Sequence, residues 1–395
     1  MKLQKWWVFL LSSIFCCICM SSQDDAELLD DFYVYVLLDK KICSDGILWS
    51  IKSEKGFVIC DVATEKQLES LDAPALNFSV QKNQLRLNGR KVAVTSLRIK
   101  PREGYLRYEN DTYPDDIVLI LHEGIWYLVN GVELEEYVCG VLRCESYSHW
   151  KLEANKSQAI AQRSYVLARI TKARGRKKLG KGFIYDIGKT NSDQTYKGLC
   201  MCEKTRQAVE ETRGMVLVFQ GRVIESMYDI CCGGIIPAHM EGVDFNTAPH
   251  LARSYACTFC SSSKLHSWKA SYTLREVEQL VKQLDNHIGT IRHIHVTKTD
   301  KAGMVIELLI RAGRRTIKLS GKQAYALFKA VRSFHYTVAI EGDKVVFHGK
   351  GYGHHLGLCQ YGALEMALQG KDSEAILRFY FPNIDILKLK VLKNS

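Results

Sequence analysis

The stretch LEANKSQAIAQRSYVLARI, residues 152–170, divides the chain into two kinds of sequence. Its apolar positions, such as Ile160, Val166 and Ile170, recur at helical spacing. Its alanines favour a helix, and their small side chains allow neighbouring elements to pack close to the helix axis. This pattern predicts a long helix that packs closely against its neighbours.

The residues before this helix predict mostly strands. Short runs of β-branched and aromatic residues are separated by turn signals such as Asn88-Gly89 and Glu123-Gly124. The predicted strands cover residues 32–38, 56–62, 84–87, 117–121 and 125–129.

The residues after the helix predict a mixture of helices and strands. Residues 214–219 and 222–228 predict a hairpin, residues 274–284, 321–331 and 363–368 predict helices, and residues 294–309 predict a strand. Because no regular βαβ alternation appears, the predicted fold class is α+β, with a β-rich N-terminal part followed by a mixed helix and strand core. The predicted parts of the chain are an N-terminal segment at 1–22, the β-rich part at 23–128, the core that contains Glu145 at 129–270, and a C-terminal part at 271–395.

The N-terminus has the features of an export signal. Lys2 and Lys5 precede an apolar run from Trp6 to Met20, which is short for a membrane span, and polar residues follow. Residues 1–22 therefore predict a signal peptide or a retained anchor, which places the protein in the periplasm or cell envelope and allows membrane association through the N-terminus. The formal net charge of +11 suits anionic wall polymers, and nucleic acid is not an expected partner.

The chain has fourteen cysteines, of which Cys16, Cys17 and Cys19 lie in the predicted signal. An oxidising compartment favours disulfides among the other eleven, with at least one thiol left over. The close pairs Cys200-Met201-Cys202 and residues 257–260 do not have the spacing of a zinc ribbon. Disulfides or buried apolar thiols are the favoured interpretations, and neither a metal nor a cofactor is predicted.

One candidate catalytic residue is Glu145, which is predicted to lie in the loop before the long helix. Val141, Leu142 and Trp150 would desolvate its carboxyl group and raise the pKa. The alternative from residue chemistry alone is a glutamate that stabilises the start of the long helix.

A second candidate segment, residues 347–363, is rich in glycine, histidine and tyrosine. Its glycines indicate close backbone approach or positive φ angles, and its polar and tyrosine side chains suit a sugar. Metal binding by the histidines is an alternative, although adjacent histidines do not easily point into one site. Its pattern does not match a dinucleotide-binding motif.

Several segments resemble, in order, the signature of the SpoIID/LytB family. They are residues 130–145, 152–165, 192–198 and 208–214, Gly233-Gly234, and the glycine-histidine segment that ends at Ala363. The resemblance covers most of the chain after the predicted signal. It implies a lytic transglycosylase that cleaves peptidoglycan glycan strands after amidases have removed the stem peptides.

The resemblance also implies roles for individual residues. Glu145 matches the position of the family's catalytic glutamate. It would protonate the oxygen between N-acetylmuramic acid and N-acetylglucosamine and then take the proton of the sugar's 6-hydroxyl, which closes a 1,6-anhydro ring without a second carboxylate. The residues expected to bind the glycan are Gln158, Arg163, Tyr165, Gln194, Tyr196, His354, Gln360 and Tyr361, although Arg163 and Tyr165 are equally compatible with a structural role.

The chain departs from the family pattern at several positions. Glu145-Ser146-Tyr147 replaces the usual Glu-Met-Pro, Cys359 replaces a serine, and His355 replaces a glycine. Some family members bind zinc through a His-Cys pair where this chain has Ser192-Asp193, so that zinc site is not expected here.

Two other functions fit the sequence. One is a non-catalytic wall-binding protein that stimulates a cell-wall amidase, as the LytB side of the family is thought to do, and the missing proline favours it. The other is a structural envelope protein crosslinked through its cysteines, which does not explain the ordered motifs.

Overall fold

The computed structural model describes residues 27–29, 32–82, 84–174 and 182–392. It is 25% helix and 38% strand, so the predicted α+β class with a β-rich N-terminal part is confirmed. The predicted signal at residues 1–22 lies outside the described residues. Among the helices of these ranges, none combines the length and apolarity needed to cross a membrane.

The N-terminal part consists of strands, of which all but the first form two sheets, and all five predicted strand segments are found in these sheets. Glu123 and Gly124 both have positive φ, 48° and 74°, so they form the two-residue turn whose twist suits a hairpin. The strands are β1 Glu27–Leu29, β2 Tyr33–Ile42, β3 Gly46–Lys52, β4 Phe57–Asp61, β5 Gln67–Leu71, β6 Ala75–Gln81, β7 Gln84–Leu87, β8 Arg90–Lys91, β9 Ser96–Pro101, β10 Leu106–Tyr108, β11 Asp111–Tyr113, β12 Asp116–His122 and β13 Ile125–Glu133.

Three helices and four short strands follow. They are α1 Leu134–Glu145, α2 Leu152–Arg174, β14 Ile187–Gly188, α3 Glu203–Glu211, β15 Met215–Phe219, β16 Arg222–Val223 and β17 Tyr228–Asp229. One sheet has the order β14-β2-β13-β12-β9-β4-β5 and the other the order β11-β10-β3-β6-β7-β8. Strands β15 and β16 form the predicted hairpin, although Tyr228 belongs to the separate strand β17.

Helix α2 is the predicted long helix, and it lies between two hydrophobic cores. Ala159, Val166 and Leu167 pack into the first core, which is formed with the N-terminal sheets. Ala154 and Ile160 pack into the second core, which is formed with the C-terminal helices. The small alanines allow this approach from both sides, as the sequence predicts.

Residues 267–350 form a lobe with a hydrophobic core of its own. The predicted strand at 294–309 is a hairpin instead, because Asp300 accepts hydrogen bonds from the amides of Ala302 and Met304 and turns the chain. Capping boxes begin both helices of the lobe. Its elements are β18 Ser267–Thr273, α4 Leu274–Lys282, β19 Ile291–Thr299, β20 Val305–Ala312, β21 Arg315–Ser320, α5 Gly321–Leu327, β22 Tyr336–Glu341 and β23 Lys344–Lys350.

The chain returns after the lobe to the first half of the molecule. The last elements are β24 Leu358–Cys359, α6 Gln360–Leu368, α7 Ser373–Tyr380, β25 Asp385–Lys388 and β26 Lys390–Leu392. Strand β24 pairs with β17, β25 with β15, and β26 with β1. The glycine-histidine segment is thereby brought beside α1 and α2.

Candidate active site

Glu145 is the last residue of helix α1 and does not lie in a loop, so that prediction is wrong. The Glu133 side chain accepts hydrogen bonds from the amides of Glu135 and Glu136 and starts a helix of three turns, whose apolar face is buried. Helix α2 begins only at Leu152. Glu145 therefore lies at the negative end of the α1 dipole, which does not favour a carboxylate. The alternative role, a glutamate that stabilises the start of the long helix, does not apply.

The half-buried carboxyl group of Glu145 has two hydrogen-bond donors. The amide of Thr195 donates to Oε1 at 2.7 Å, and the Tyr228 hydroxyl donates to Oε2. Burial raises the pKa of Glu145, and these two hydrogen bonds oppose the rise because they stabilise the ionised form. The arrangement holds a carboxyl group that is able to exist in both protonation states.

Gly140 allows the chain that carries Thr195 to approach α1. A Cβ at this position would lie 2.4 Å from the Gly198 carbonyl oxygen and 2.5 Å from the Tyr196 ring. Any larger residue would push this segment away from Glu145.

Gln194 fixes the direction of the Tyr228 hydroxyl. Its Nε2 donates to the Tyr228 hydroxyl oxygen at 3.1 Å, and its Oε1 accepts from Tyr137 at 3.1 Å. Because the tyrosine oxygen accepts from Gln194, its own proton is directed to Glu145. Gln194 is fully buried, so the predicted direct contact with substrate is replaced by a positioning role.

Gln360 connects the C-terminal part to the end of α1. Its Nε2 donates to the backbone carbonyl of Glu145 at 2.8 Å, which satisfies one of the free carbonyls at a helix end. It also donates to Gln158 Oε1 at 3.3 Å. Gln158 Nε2 and both amide atoms of the Gln162 side chain are buried without a partner in the protein.

The two adjacent histidines point to different groups, as expected. His354 is half-buried beside the backbone of Tyr228, and burial lowers its pKa to about 4, so the ring is neutral. The ring of His355 contacts the Cys232 carbonyl oxygen at 3.0 Å. His355 has a φ of 67°, a conformation that favours glycine, which explains why its position is a glycine in the family motif.

An aromatic strip consists of Tyr147 and Trp150, which follow Glu145 in the chain, and Tyr361, which follows Gln360. The Trp150 ring is 5.3 Å from Tyr147 and 5.2 Å from Tyr361, centroid to centroid. Tyr147 is 55% exposed. Aromatic faces next to polar groups suit a sugar, and the contact of Tyr361 with the glycan stays a prediction.

Three predicted glycan-binding residues are buried in the core instead. Arg163 is 0% exposed and forms a bidentate ion pair with Glu135. Tyr196 stacks on Tyr137 and donates to Asn130 at 2.7 Å. Tyr165 packs into the first core. The polar groups of Arg163 and Tyr196 are satisfied inside the protein, and Tyr165 is only 9% exposed, so the structure corrects the predicted contact of these three residues with the glycan.

The eleven cysteines of the described ranges are free thiols, so the predicted disulfides are not formed. Cys200 lies in the first core and Cys257 and Cys260 lie in the second, so the two close pairs do not meet. Most of the thiols are buried, which leaves few for crosslinks between molecules and removes the support for a crosslinked structural protein.

Sequence reasoning missed the two donors to Glu145. Tyr228 comes from strand β17 and Thr195 contributes only its backbone amide, so no residue pattern identifies either of them. The position of Thr195 next to Gln194, within a family motif, was the one available signal.

The fold and site together define a class: an α+β protein whose partly buried helix-terminal glutamate is held by a tyrosine and a backbone amide. A family model described as Stage II sporulation protein, SpoIID, matches residues 122–219, which include Glu145, Gln194 and Thr195. A model described as a domain of unknown function (DUF8618) matches residues 255–357. The first of these matches supports membership of the SpoIID family for this chain.

Three relatives illustrate the similarity. An uncharacterized protein of Brachyspira hyodysenteriae is 27% identical over 278 residues, which cover 70% of this chain and 72% of the relative. Stage II sporulation protein D of Bacillus amyloliquefaciens is 26% identical over 65% of this chain and 75% of its own length. The amidase enhancer of Bacillus subtilis is 26% identical over 79% of this chain, but the match spans only 50% of the enhancer.

Proposed function

We propose that the protein is an exported lytic transglycosylase that cleaves the bond between N-acetylmuramic acid and N-acetylglucosamine in peptide-free glycan strands. The observation that carries the proposal is the carboxyl group of Glu145, whose pKa is raised by burial and which contacts two hydrogen-bond donors. A raised pKa keeps the carboxyl group protonated to a higher pH, and the donors stabilise the carboxylate that remains after the proton transfer.

One carboxyl group is sufficient for this reaction. Glu145 donates its proton to the glycosidic oxygen while the bond between that oxygen and the anomeric carbon breaks. The resulting carboxylate accepts the proton of the muramic acid 6-hydroxyl while O6 bonds to the anomeric carbon. The products are a free 4-hydroxyl on N-acetylglucosamine's side of the break and a 1,6-anhydro ring, and Glu145 is again protonated.

The surroundings of Glu145 suit a neutral sugar chain. The aromatic strip offers faces for stacking, and His354, which is neutral, lies beside Tyr228. Gln158 and Gln162 are as fully buried as Gln194, so their unpartnered amide atoms do not face the glycan and suit a buried water instead.

Mass spectrometry of the glycan products tests the proposal. The protein is incubated with peptide-free strands and, separately, with strands that keep their stem peptides. We expect 1,6-anhydro-muramyl ends from the peptide-free strands. Reducing ends would instead indicate a hydrolase and contradict the proposed mechanism.

Similarity to an amidase enhancer supports a second candidate function, a wall-binding protein that stimulates an N-acetylmuramoyl-L-alanine amidase. The absence of proline after Glu145 is a further argument for it. If no glycan bond is cleaved but the protein raises the rate of stem-peptide release by an added amidase, this second function replaces the first.

Replacing Tyr228 with phenylalanine is expected to change the pH dependence of cleavage. The hydroxyl lowers the pKa of Glu145, so its loss raises that pKa further. Since the general acid must start protonated, activity is lost as pH rises through this pKa, and the alkaline limb of the profile moves to higher pH. We also expect kcat to fall about 10-fold, because one charge-assisted hydrogen bond to the carboxylate is lost.

The measurement for Tyr228→Phe is kcat/KM across the pH range, beside Tyr127→Phe on strand β13 as the control. A profile that keeps its alkaline limb in place would show that Tyr228 does not act on the Glu145 carboxyl group.

A further inference from the structure

Four buried cysteines from three separate segments meet in the second core. They are Cys232, which follows β17, Cys257 just before and Cys260 within a short 3-10 helix at Phe259–Ser262, and Cys359 at the end of β24. Their sulfur atoms all lie within 4.8 Å of one another, and none of the four residues is more than 1% exposed. We refer to them as the four-cysteine cluster.

The distances distinguish a metal site from disulfide bonds. The sulfurs of Cys232 and Cys260 are 3.7 Å apart, whereas a disulfide joins sulfurs at about 2.05 Å. Four sulfurs that surround zinc tetrahedrally at about 2.3 Å are about 3.8 Å from one another. The spacing therefore fits four ligands of one ion.

Hydrogen-bond donors and a cation lie next to the sulfurs of the cluster. The amides of Cys232 and Gly362 point at the Cys359 sulfur, at 3.2 and 3.3 Å. The buried guanidinium of Arg253 lies 4.0 Å from the Cys232 sulfur. Hydrogen-bond donors and a cation around the sulfurs are the outer-shell groups expected of a metal-bound thiolate cluster.

We propose that the four-cysteine cluster binds one zinc ion. Thiolate ligands in a tetrahedral arrangement select zinc among common divalent ions, and four protein ligands leave no position open, so the site is structural. Zinc with four thiolates carries a charge of −2, which Arg253 partly neutralises. The sequence did not show this site because the other three ligands are 25 to 127 residues from Cys232 in the chain. Only the fold brings the four cysteines together.

The zinc site would position the proposed active site. Cys359 immediately precedes Gln360, which contacts the Glu145 carbonyl oxygen. The backbone of Cys359 is paired with that of Asp229, the neighbour of Tyr228. The ion would therefore join the two strands that bring Tyr228 and Gln360 to Glu145. Zinc content is measured without any glycan substrate, so zinc binding is tested independently of the transglycosylase reaction.

Metal analysis of the full chain tests the proposal. The protein is purified under reducing conditions in a medium that contains zinc, and we expect about one zinc per chain. Replacement by cobalt should give the thiolate-to-metal absorption bands of a tetrahedral site. A thiol-modifying mercurial should release the zinc as cysteines react, a readout that needs no variant.

Variants locate the ion. Cys232→Ala is expected to lower the zinc content at least 10-fold. The matched control is Cys139→Ala, which removes a buried thiol from the first core and should keep the zinc. Parent protein without zinc, disulfides among the four cysteines, iron with sulfide in place of zinc, or equal zinc in both variants would each overturn the proposal.

Discussion

Glu145→Gln is expected to lower kcat for glycan cleavage about 10³- to 10⁴-fold, the upper range for loss of a general acid and base. The amide cannot donate a proton to the glycosidic oxygen, and it cannot accept one from the 6-hydroxyl. The side chain keeps its size and still has a carbonyl oxygen for the Thr195 amide, so the fold and KM should change little. Reaction rates with peptide-free strands measure the effect.

Glu136→Gln is the matched control for this prediction. Glu136 is on the same helix and also half-buried, but its carboxylate pairs with Arg206 at 2.7 Å. We expect its activity to stay near that of the parent protein. If Glu145→Gln kept more than a tenth of the parent rate while its fold was intact, another residue would have to be the acid.

Arg163→Met is expected to lower the free energy of unfolding by about 3–5 kcal/mol, the range for removing one partner of a buried ion pair. Glu135 would remain buried, with the Gly214 amide at 3.1 Å as a donor but without its bidentate ion pair. The Arg163 guanidinium also donates to the Met215 carbonyl at 3.1 Å, so β15 would lose a contact with α2. Urea denaturation measures the change.

Arg213→Met is the control for the stability prediction. Its side chain is 45% exposed and pairs with Glu210 at 3.0 Å and with Glu133 at 3.8 Å, so the loss of these exposed pairs should cost about 1 kcal/mol. If Arg163→Met unfolded no more easily than this control, Arg163 would not be held in the core, and the predicted contact with the glycan would regain support.

The sequence predicted local structure better than it predicted the surroundings of Glu145. Helix α2 and the hairpin turn at Glu123-Gly124 follow from patterns within a few residues, so both were found. Tyr228 and Gln360 reach Glu145 from distant positions in the chain, and only the pairing of β17 with β24 brings them there. A sequence pattern does not contain that pairing.

Arg163 shows a different limit of sequence reasoning. A charged residue in a helix is usually exposed, so the sequence left its role open. Its burial depends on Glu135, 28 residues earlier, which the first turn of α1 places opposite it. The same cause applies to the four-cysteine cluster, whose members are separated in the chain and adjacent only in the fold.

The first and last residues of the lobe at residues 267–350 lie next to each other. Ser267 and Lys350 are paired across β18 and β23, so the chain leaves the rest of the protein and returns to it through neighbouring residues. Segments with adjacent ends are the ones that proteins exchange, lengthen or lose without disturbing their remaining core. The lobe is therefore a module on which evolution can act independently, while Glu145 before it and Gln360 after it keep their relative positions.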